Sequence, residues 1–327
     1  MRRRSFCRAL AATAAAALAH RAGAQPATPL RVAYLSGDSK DTPSPNFAAF
    51  RDGLAAQGYT EGRNLALTAW WGEGSPGRVT QLIPDVVGAQ PDIVVAAGGL
   101  ALFPLLTAGV KKPIVFSISA DPVEAKIVES FARPGGNITG ISLFTLDLVG
   151  KRLELLRAVL PRVQRVALVA NPQHPGERKE YEAAAGAAKK LGIAVRYFPV
   201  SSGVQLEAAF TDIARAKDDA VVAFADGFTL GYAQRFADFS RETRIPAIDG
   251  WAPFAEAGNL MIYGPVISDV YRRLAQYVDR IAKGAAPGSL PIELPNKVEL
   301  VINARAAKAL GITIPPAVLA RADRVIT

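Results

Sequence analysis

The chain has 327 residues, half of them apolar and a fifth charged, a composition that excludes a disordered or fibrous protein; at roughly 150 residues per domain the length suggests two domains. The formal charge of +9 is concentrated at the start. Five arginines and no acid fall in residues 1–24, leaving 33 basic against 29 acidic residues beyond them. Those are scattered, so nothing resembles a nucleic-acid-binding surface.

Residues 1–24 read as a signal peptide. Arg2-Arg3-Arg4 is a positive n-region, 9–19 an apolar core too short to span a bilayer, and Ala22-Gly23-Ala24 a small-residue cleavage site before Gln25. Arg3-Arg4-Ser5-Phe6-Cys7-Arg8 resembles the twin-arginine export motif, with an ordinary Sec signal as the alternative. The expectation is a periplasmic protein cleaved after Ala24. Cleavage would remove Cys7 and His20, leaving His174 as the one imidazole and no thiol. Disulfides, cysteine-rich zinc sites and a cysteine nucleophile are thereby excluded, and a serine–histidine arrangement would depend on His174 alone. No metal or cofactor is expected.

From residue 30 short apolar runs alternate with amphipathic ones. Strands are predicted at 30–36, 65–71, 92–97, 113–118 and 138–143, with helices at 46–57, 78–88, 100–108 and 122–131 between them. The pattern then restarts. Helices are predicted at 146–160, 176–191, 205–216 and 229–241, and strands at 165–170, 193–200, 220–225 and 245–248. Uniformly apolar strands with short connections mark parallel sheets covered on both faces, hence an α/β protein of two doubly wound lobes. The tail holds a strand at 259–263, an amphipathic helix at 267–283, a Pro/Gly-rich linker at 285–291 and a strand at 298–302. Such pieces suit a chain that weaves between lobes. The predicted lobes are 30–142 with 262–290, and 143–261 with 291–327.

Gly72-Glu73-Gly74-Ser75-Pro76-Gly77 has the spacing of a dinucleotide loop but fails as one. It follows the second strand, Pro76 offers no N–H, and strand 92–97 has no acid at its end. Open parallel sheets bind ligands at the carboxyl ends of their strands. That rule nominates Ser36, Gly37, Gly98, Gly99, Ser117 and Asp121 in the first array, and Asn171, Asp226 and Asp249 in the second. Gly98-Gly99 opens a helix whose free N–H groups suit an anion or a carbonyl. Each polar nominee is equally suited to capping a helix or closing an Asx turn. His174, in a Pro-flanked loop, reads as a surface histidine near a cleft. Asn137-Ile138-Thr139 fits a glycosylation sequon but reads as a turn.

Collinear segments carry a resemblance over nearly the whole chain. They include Phe50-Arg51-Asp52-Gly53-Leu54, Gly58-Tyr59-Thr60-Glu61-Gly62-Arg63-Asn64, Asp121-Pro122-Val123 and Arg133-Pro134-Gly135-Gly136-Asn137-Ile138-Thr139-Gly140. Lys151-Arg152-Leu153-Glu154-Leu155-Leu156, Glu299-Leu300-Val301-Ile302-Asn303, Ala307-Lys308-Ala309-Leu310-Gly311 and Leu319-Ala320-Arg321-Ala322-Asp323 continue it. The sequence resembles the ABC-transporter substrate-binding family. The resemblance implies a type I periplasmic-binding-protein fold, with three hinge strands and a solute between the lobes. It also implies a permease partner in the inner membrane, a monomer, no nucleic acid and no enzymatic turnover. Better-known relatives bind aromatic amino acids. Family members often carry a threonine after the glycine pair; here Leu100 removes that hydroxyl. Asp226 and Asp249 are expected to accept from an ammonium or hydroxyl, and Tyr263 to stack or hydrogen-bond from the hinge. A periplasmic sensor is the alternative function, an enzyme on the same fold a more distant one.

Overall fold

The structure, a computed structural model, describes residues 28–40, 45–144 and 146–327. The expected signal peptide, its twin-arginine motif and the cleavage point after Ala24 lie outside them.

The first array forms a five-stranded parallel sheet from β1 (Leu30–Ser36), β2 (Leu65–Trp71), β3 (Ile93–Ala97), β4 (Ile114–Ile118) and β5 (Ile138–Ser142), in the order β2-β1-β3-β4-β5. Strands β3, β4 and β5 are buried along their whole length, which is why they read as unbroken apolar runs. Helices α2 (Pro76–Gly88) and α3 (Gly99–Thr107) bury Val79, Ile83, Leu102 and Leu105 on one face of the sheet. The other face is covered by α1 (Pro45–Ala56), through Phe50 and Leu54, and by a helix from the far end of the chain.

The second array repeats the order. Strands β6 (Arg165–Ala170), β7 (Ala194–Pro199), β8 (Ala220–Ala223), β9 (Ala247–Asp249) and β10 (Met261–Pro265) run β7-β6-β8-β9-β10, and β11 (Val298–Asn303) and β12 (Arg324–Ile326) extend the sheet. Strand β11 is antiparallel to β10; the other pairings are parallel. The covering helices are α4 (Leu146–Val159), α5 (Glu177–Lys190), α6 (Gly203–Ala216), α7 (Gly227–Gly231), α8 (Ala233–Thr243) and α9 (Ala252–Glu256). Helix α10 (Ile267–Ala282) returns to the first sheet, burying Val270, Tyr271, Leu274 and Val278 beside Phe50 and Leu54 of α1. Each such side chain contributes roughly 1.5–3 kcal/mol of burial. The α1–α10 crossing is close: a Cβ on Gly53 would meet the backbone of Arg272. The chain ends in α11 (Ala304–Leu310), α12 (Pro316–Leu319) and β12.

The chain therefore passes between the sheets three times: after β5, after β10, and between α10 and β11. Strand β10 pairs within the second sheet, so the crossing comes after Pro265 rather than at Ile262. On the way back Glu293 pairs beside β5: its N–H donates to Gly140 and its carbonyl accepts from Ser142.

Two predicted helices differ. Residues 122–131 form turns, not a helix. The Asp121 carboxylate accepts from the N–H groups of Val123 and Glu124, and one turn closes before Lys126 adopts a left-handed φ of 55° and ends it. Ile127 and Val128 instead pack into the first lobe's core, and Phe131 accepts from the Ile292 N–H. The predicted helix at 229–241 is split at Tyr232 into α7 and α8, because the Asp226–Thr229 capping box closes a separate short turn.

Candidate ligand-binding site

The order of each sheet reverses at one point, between β1 and β3 in the first lobe and between β6 and β8 in the second. Ligands of doubly wound sheets sit at such switch points, beyond the carboxyl ends of the strands. Strand register gathers the first lobe's nominees there. Ser36 pairs with Ala97, and Ala97 with Ser117, in one row across the sheet. Gly37 follows Ser36 and lies against the Leu100 side chain; Gly98 caps α3 in a left-handed conformation, φ 86°, and Gly99 opens that helix. The Ser36 hydroxyl accepts from the Asp38 N–H, and the Ser117 hydroxyl donates to the Tyr271 hydroxyl. Beside them Tyr34 packs against Phe47, Phe50 and Trp71, and its buried hydroxyl has no hydrogen-bond partner among the described residues.

The second lobe's nominees gather at the ends of β6, β8 and β9. Asn171 Oδ1 closes an Asx turn by accepting from the Gln173 N–H. Asp226 caps α7: its Oδ1 accepts from the Thr229 N–H at 2.7 Å. Asp249 is fully buried; its Oδ1 accepts from the N–H groups of Gly250 and Trp251, whereas Oδ2 has no partner among the described residues. The Tyr263 carbonyl accepts from Arg152 Nε at 2.9 Å, and its ring is half-buried in the second lobe's core. Asp121 stands apart from both groups. Its carboxylate is engaged by the Val123 and Glu124 N–H groups and by Lys179 of the other lobe.

Several residues that the strand-end rule did not nominate complete the floor of the second lobe. Arg152, 4% exposed, reaches from α4 to the Tyr263 carbonyl and to Glu180 at 3.4 Å. Glu180, in the first turn of α5, and His174 line one small cavity with Asn171, Phe224 and Asp226. A broader hollow at Pro161, Asp219 and Ile312 lies at the opposite, amino-terminal end of the second sheet's strands. Arg152 and Glu180 had a signal in the sequence. Arg152 interrupts the apolar stripe Val149–Leu153–Leu156 of α4, and Glu180 lies on the small-residue stripe Ala184–Ala188 of α5. A charge on a helix's inward face needs a buried partner.

Burial governs the electrostatics of this floor. It pushes the Asp249 carboxyl up to about 7, against the pull of Arg152 and the two N–H donors, with Asp226 adding repulsion. Burial likewise raises Glu180 to about 7, opposed by Arg152 and reinforced by Asp249 and Asp226. His174 is lowered by burial, with the Asp226 charge opposing. Three acids thus share one guanidinium, beside an imidazole whose protonation burial opposes, an environment short of positive charge. Among the described residues no group of three His, Cys, Asp or Glu side chains is placed to hold a metal ion.

Two parallel-sheet lobes joined by three crossings, with polar groups gathered at both switch points, define a protein of the periplasmic-binding-protein fold. The chain belongs to the ABC transporter substrate binding protein family, which matches residues 32–326. It is 22% identical over 261 residues to a tyrosine-binding protein of Clostridioides difficile (strain R20291), covering 80% of this chain and 75% of that protein. Among solved structures, the ABC domain in complex with L-Trp from Streptococcus pneumoniae superposes with a TM-score of 0.83 at 25% identity, covering 91% of this chain and all of that one. A conserved domain protein from Vibrio cholerae O1 biovar El Tor gives 0.79 at 30% identity, covering 92% and 100%. The family implies a small-molecule ligand, an ABC permease as partner and a place outside the cytoplasm. No helix among the described residues is long and apolar enough to cross a membrane.

Proposed function

We propose that this protein is the periplasmic, monomeric solute receptor of an ABC importer, a carrier rather than an enzyme, and that its solute is an amino acid with an apolar or aromatic side chain. The observation that carries the reading is Asp249: a fully buried carboxylate with one oxygen unpartnered, at the switch-point edge of a floor that holds three acids to one guanidinium. An unpaired buried acceptor costs about 1–3 kcal/mol, and a ligand ammonium at Oδ2 removes that cost.

The remaining groups fit the other end of such a solute. Helix α3 presents its first N–H groups, those of Gly99 and Leu100, to a carboxylate, the Gly98 N–H being taken by the Ser117 carbonyl, with Ser36, Gly37 and Ser117 beside it. Asn171 and Tyr263 border the second lobe, and Asp121 acts in closure. The names of the relatives, one tyrosine-binding and one solved with L-Trp, support the ligand class. Leu100 replaces a polar rim with an apolar one and favours an apolar side chain. Residues 30–142 with 266–290 would move as one lobe and 143–265 with 294–327 as the other, after cleavage behind Ala24. Closure is then an equilibrium that a ligand shifts by touching both lobes.

The test is a thermal-shift and calorimetric comparison of L-tryptophan, L-tyrosine and L-phenylalanine with 3-phenylpropionate, which lacks the ammonium. A ligand at 100 times its Kd adds about 2.7 kcal/mol of stability. The amino acids should bind and 3-phenylpropionate should not; no shift with any amino acid, or equal binding of the desamino compound, sinks the proposal.

A further inference from the structure

Four contacts join the lobes at the ends of β4 and β6 without any covalent link. Lys179 Nζ lies 3.0 Å from Asp121 Oδ2 and 2.9 Å from Glu124 Oε1. Ser119 Oγ hydrogen-bonds His174 Nε2 at 2.9 Å, and the Asp121 N–H donates to the Pro175 carbonyl at 3.3 Å. Ser119, Asp121 and Glu124 follow the fourth strand of the first sheet; His174, Pro175 and Lys179 follow the first strand of the second.

The location of Lys179 is informative. It is the third residue of α5, whose N-cap is Gly176. The helix dipole disfavours cations in the first turn, yet α5 carries two there, Arg178 and Lys179, between the acids Glu177 and Glu180. Arg178 pairs with Glu182 of its own helix, whereas the acids that hold Lys179 lie across the gap. The facing acids are held in place: Asp121 Oδ1 accepts from the Val123 and Glu124 N–H groups, which leaves Oδ2 aimed at Lys179 and fixes the direction in which Glu124 leaves the turn. The clamp adjoins the binding floor, since His174 lines the same cavity as Asp226 and Glu180.

We infer that Lys179, gripped by Asp121 and Glu124, is an interlobe clamp that sets the open–closed equilibrium and so tunes affinity from outside the solute contact. The inference rests on the reading of two lobes that close on a solute. Its energetic scale is modest. Lys179 keeps 44% of its side chain exposed, and exposed pairs contribute about 0.2–1 kcal/mol, a roughly 1.4- to fivefold change in the closed-to-open ratio. Apparent affinity follows the closed fraction by the same factor. Solvent exposure also makes the clamp weaken with added salt.

The experiment needs no solute. Spin labels on Val87→Cys and Val204→Cys, exposed positions in different lobes, in full-length chain carrying Cys7→Ser, report the interlobe distance distribution. Lys179→Ala should shift the population about 1.4- to fivefold toward longer distances, with thermal unfolding unchanged. Lys179→Arg should keep the parent distribution. Adding Glu124→Gln to Lys179→Ala should open the lobes no further, because the partner is already lost. A Lys179→Ala distribution identical to the parent's, or an additive effect of Glu124→Gln, overturns the clamp. A failure of the amino-acid panel leaves these distances untouched, so the two readings fail separately.

Discussion

Asp249→Asn isolates the charge of one buried carboxyl while keeping its shape. The Asn side-chain oxygen still accepts from the Gly250 and Trp251 N–H groups, as Asp249 Oδ1 does. What changes is titration. Burial raises the folded carboxyl from 3.8 to about 7, with Arg152 pulling it back and Asp226 pushing it further up. Between those values the folded protein holds a proton that the unfolded chain has released. Stability from this group is thus fully present below about pH 4, declines as pH rises, and is lost once pH passes the folded value near 7. At about 1.36 kcal/mol per unit the whole effect is on the order of 4 kcal/mol. Asn does not titrate, so between pH 5 and 7 the variant should gain roughly 2.3 kcal/mol on the parent. Glu180, which also reaches about 7 in the same neighbourhood, titrates in both proteins and largely cancels from the difference. Urea unfolding of parent and variant at pH 5, 6, 7 and 8 measures this directly. A stability difference that is flat across that range refutes a buried, raised Asp249.

Solute binding should carry the same signature. If an ammonium settles on Asp249, the carboxyl must ionise, so affinity for the amino acids tested should fall about tenfold per pH unit below 7, read by calorimetry in buffers of different ionisation heat; pH-independent binding without proton release contradicts it. Arg152→Met should destabilise by about 3–5 kcal/mol at pH 8, because it leaves Glu180 and Asp249 buried without their cation; the loss should shrink at pH 5, where both are protonated, and equal losses at the two values would show that packing dominates. Gly264→Ala places a Cβ on the Gly250 carbonyl oxygen, and overpacking of this kind costs about 1–3 kcal/mol; an unchanged urea midpoint would show that the strand has room to move. Thr229→Val removes half of the Asp226 capping box and the bond to the Phe224 carbonyl, at a cost of about 1–3 kcal/mol, and a variant as stable as the parent would show that a water replaces the hydroxyl.

The sequence alone determined the two arrays. Strands 30–36, 65–71 and 165–170 have the predicted bounds, and the other predicted strands shift by one or two residues at an end. The reason is local: a strand covered on both faces is an unbroken apolar run, and glycines and prolines mark where it stops. Sequence also placed Ser36, Gly98, Ser117, Asn171, Asp226 and Asp249 at strand carboxyl ends, because that position follows from chain order once the strands are known. Only tertiary structure decided how those residues are used. Asp226 turned out to cap a helix and Asp121 to bridge the lobes, while Asp249 keeps a bare oxygen; nothing within a few residues of any of them distinguishes these fates. Arg152 came to the floor from a helix, Glu180 from another, and Lys179 found acids 58 and 55 positions earlier in the chain. The turn at 122–131 has helical spacing, yet Asp121 closed its first turn and the core took Ile127 and Val128. Hydrophobic periodicity is a property of neighbouring residues and survives in one dimension. The environment of a charge depends on which distant elements enclose it, and that is fixed only when the lobes pack and the chain has crossed between them three times.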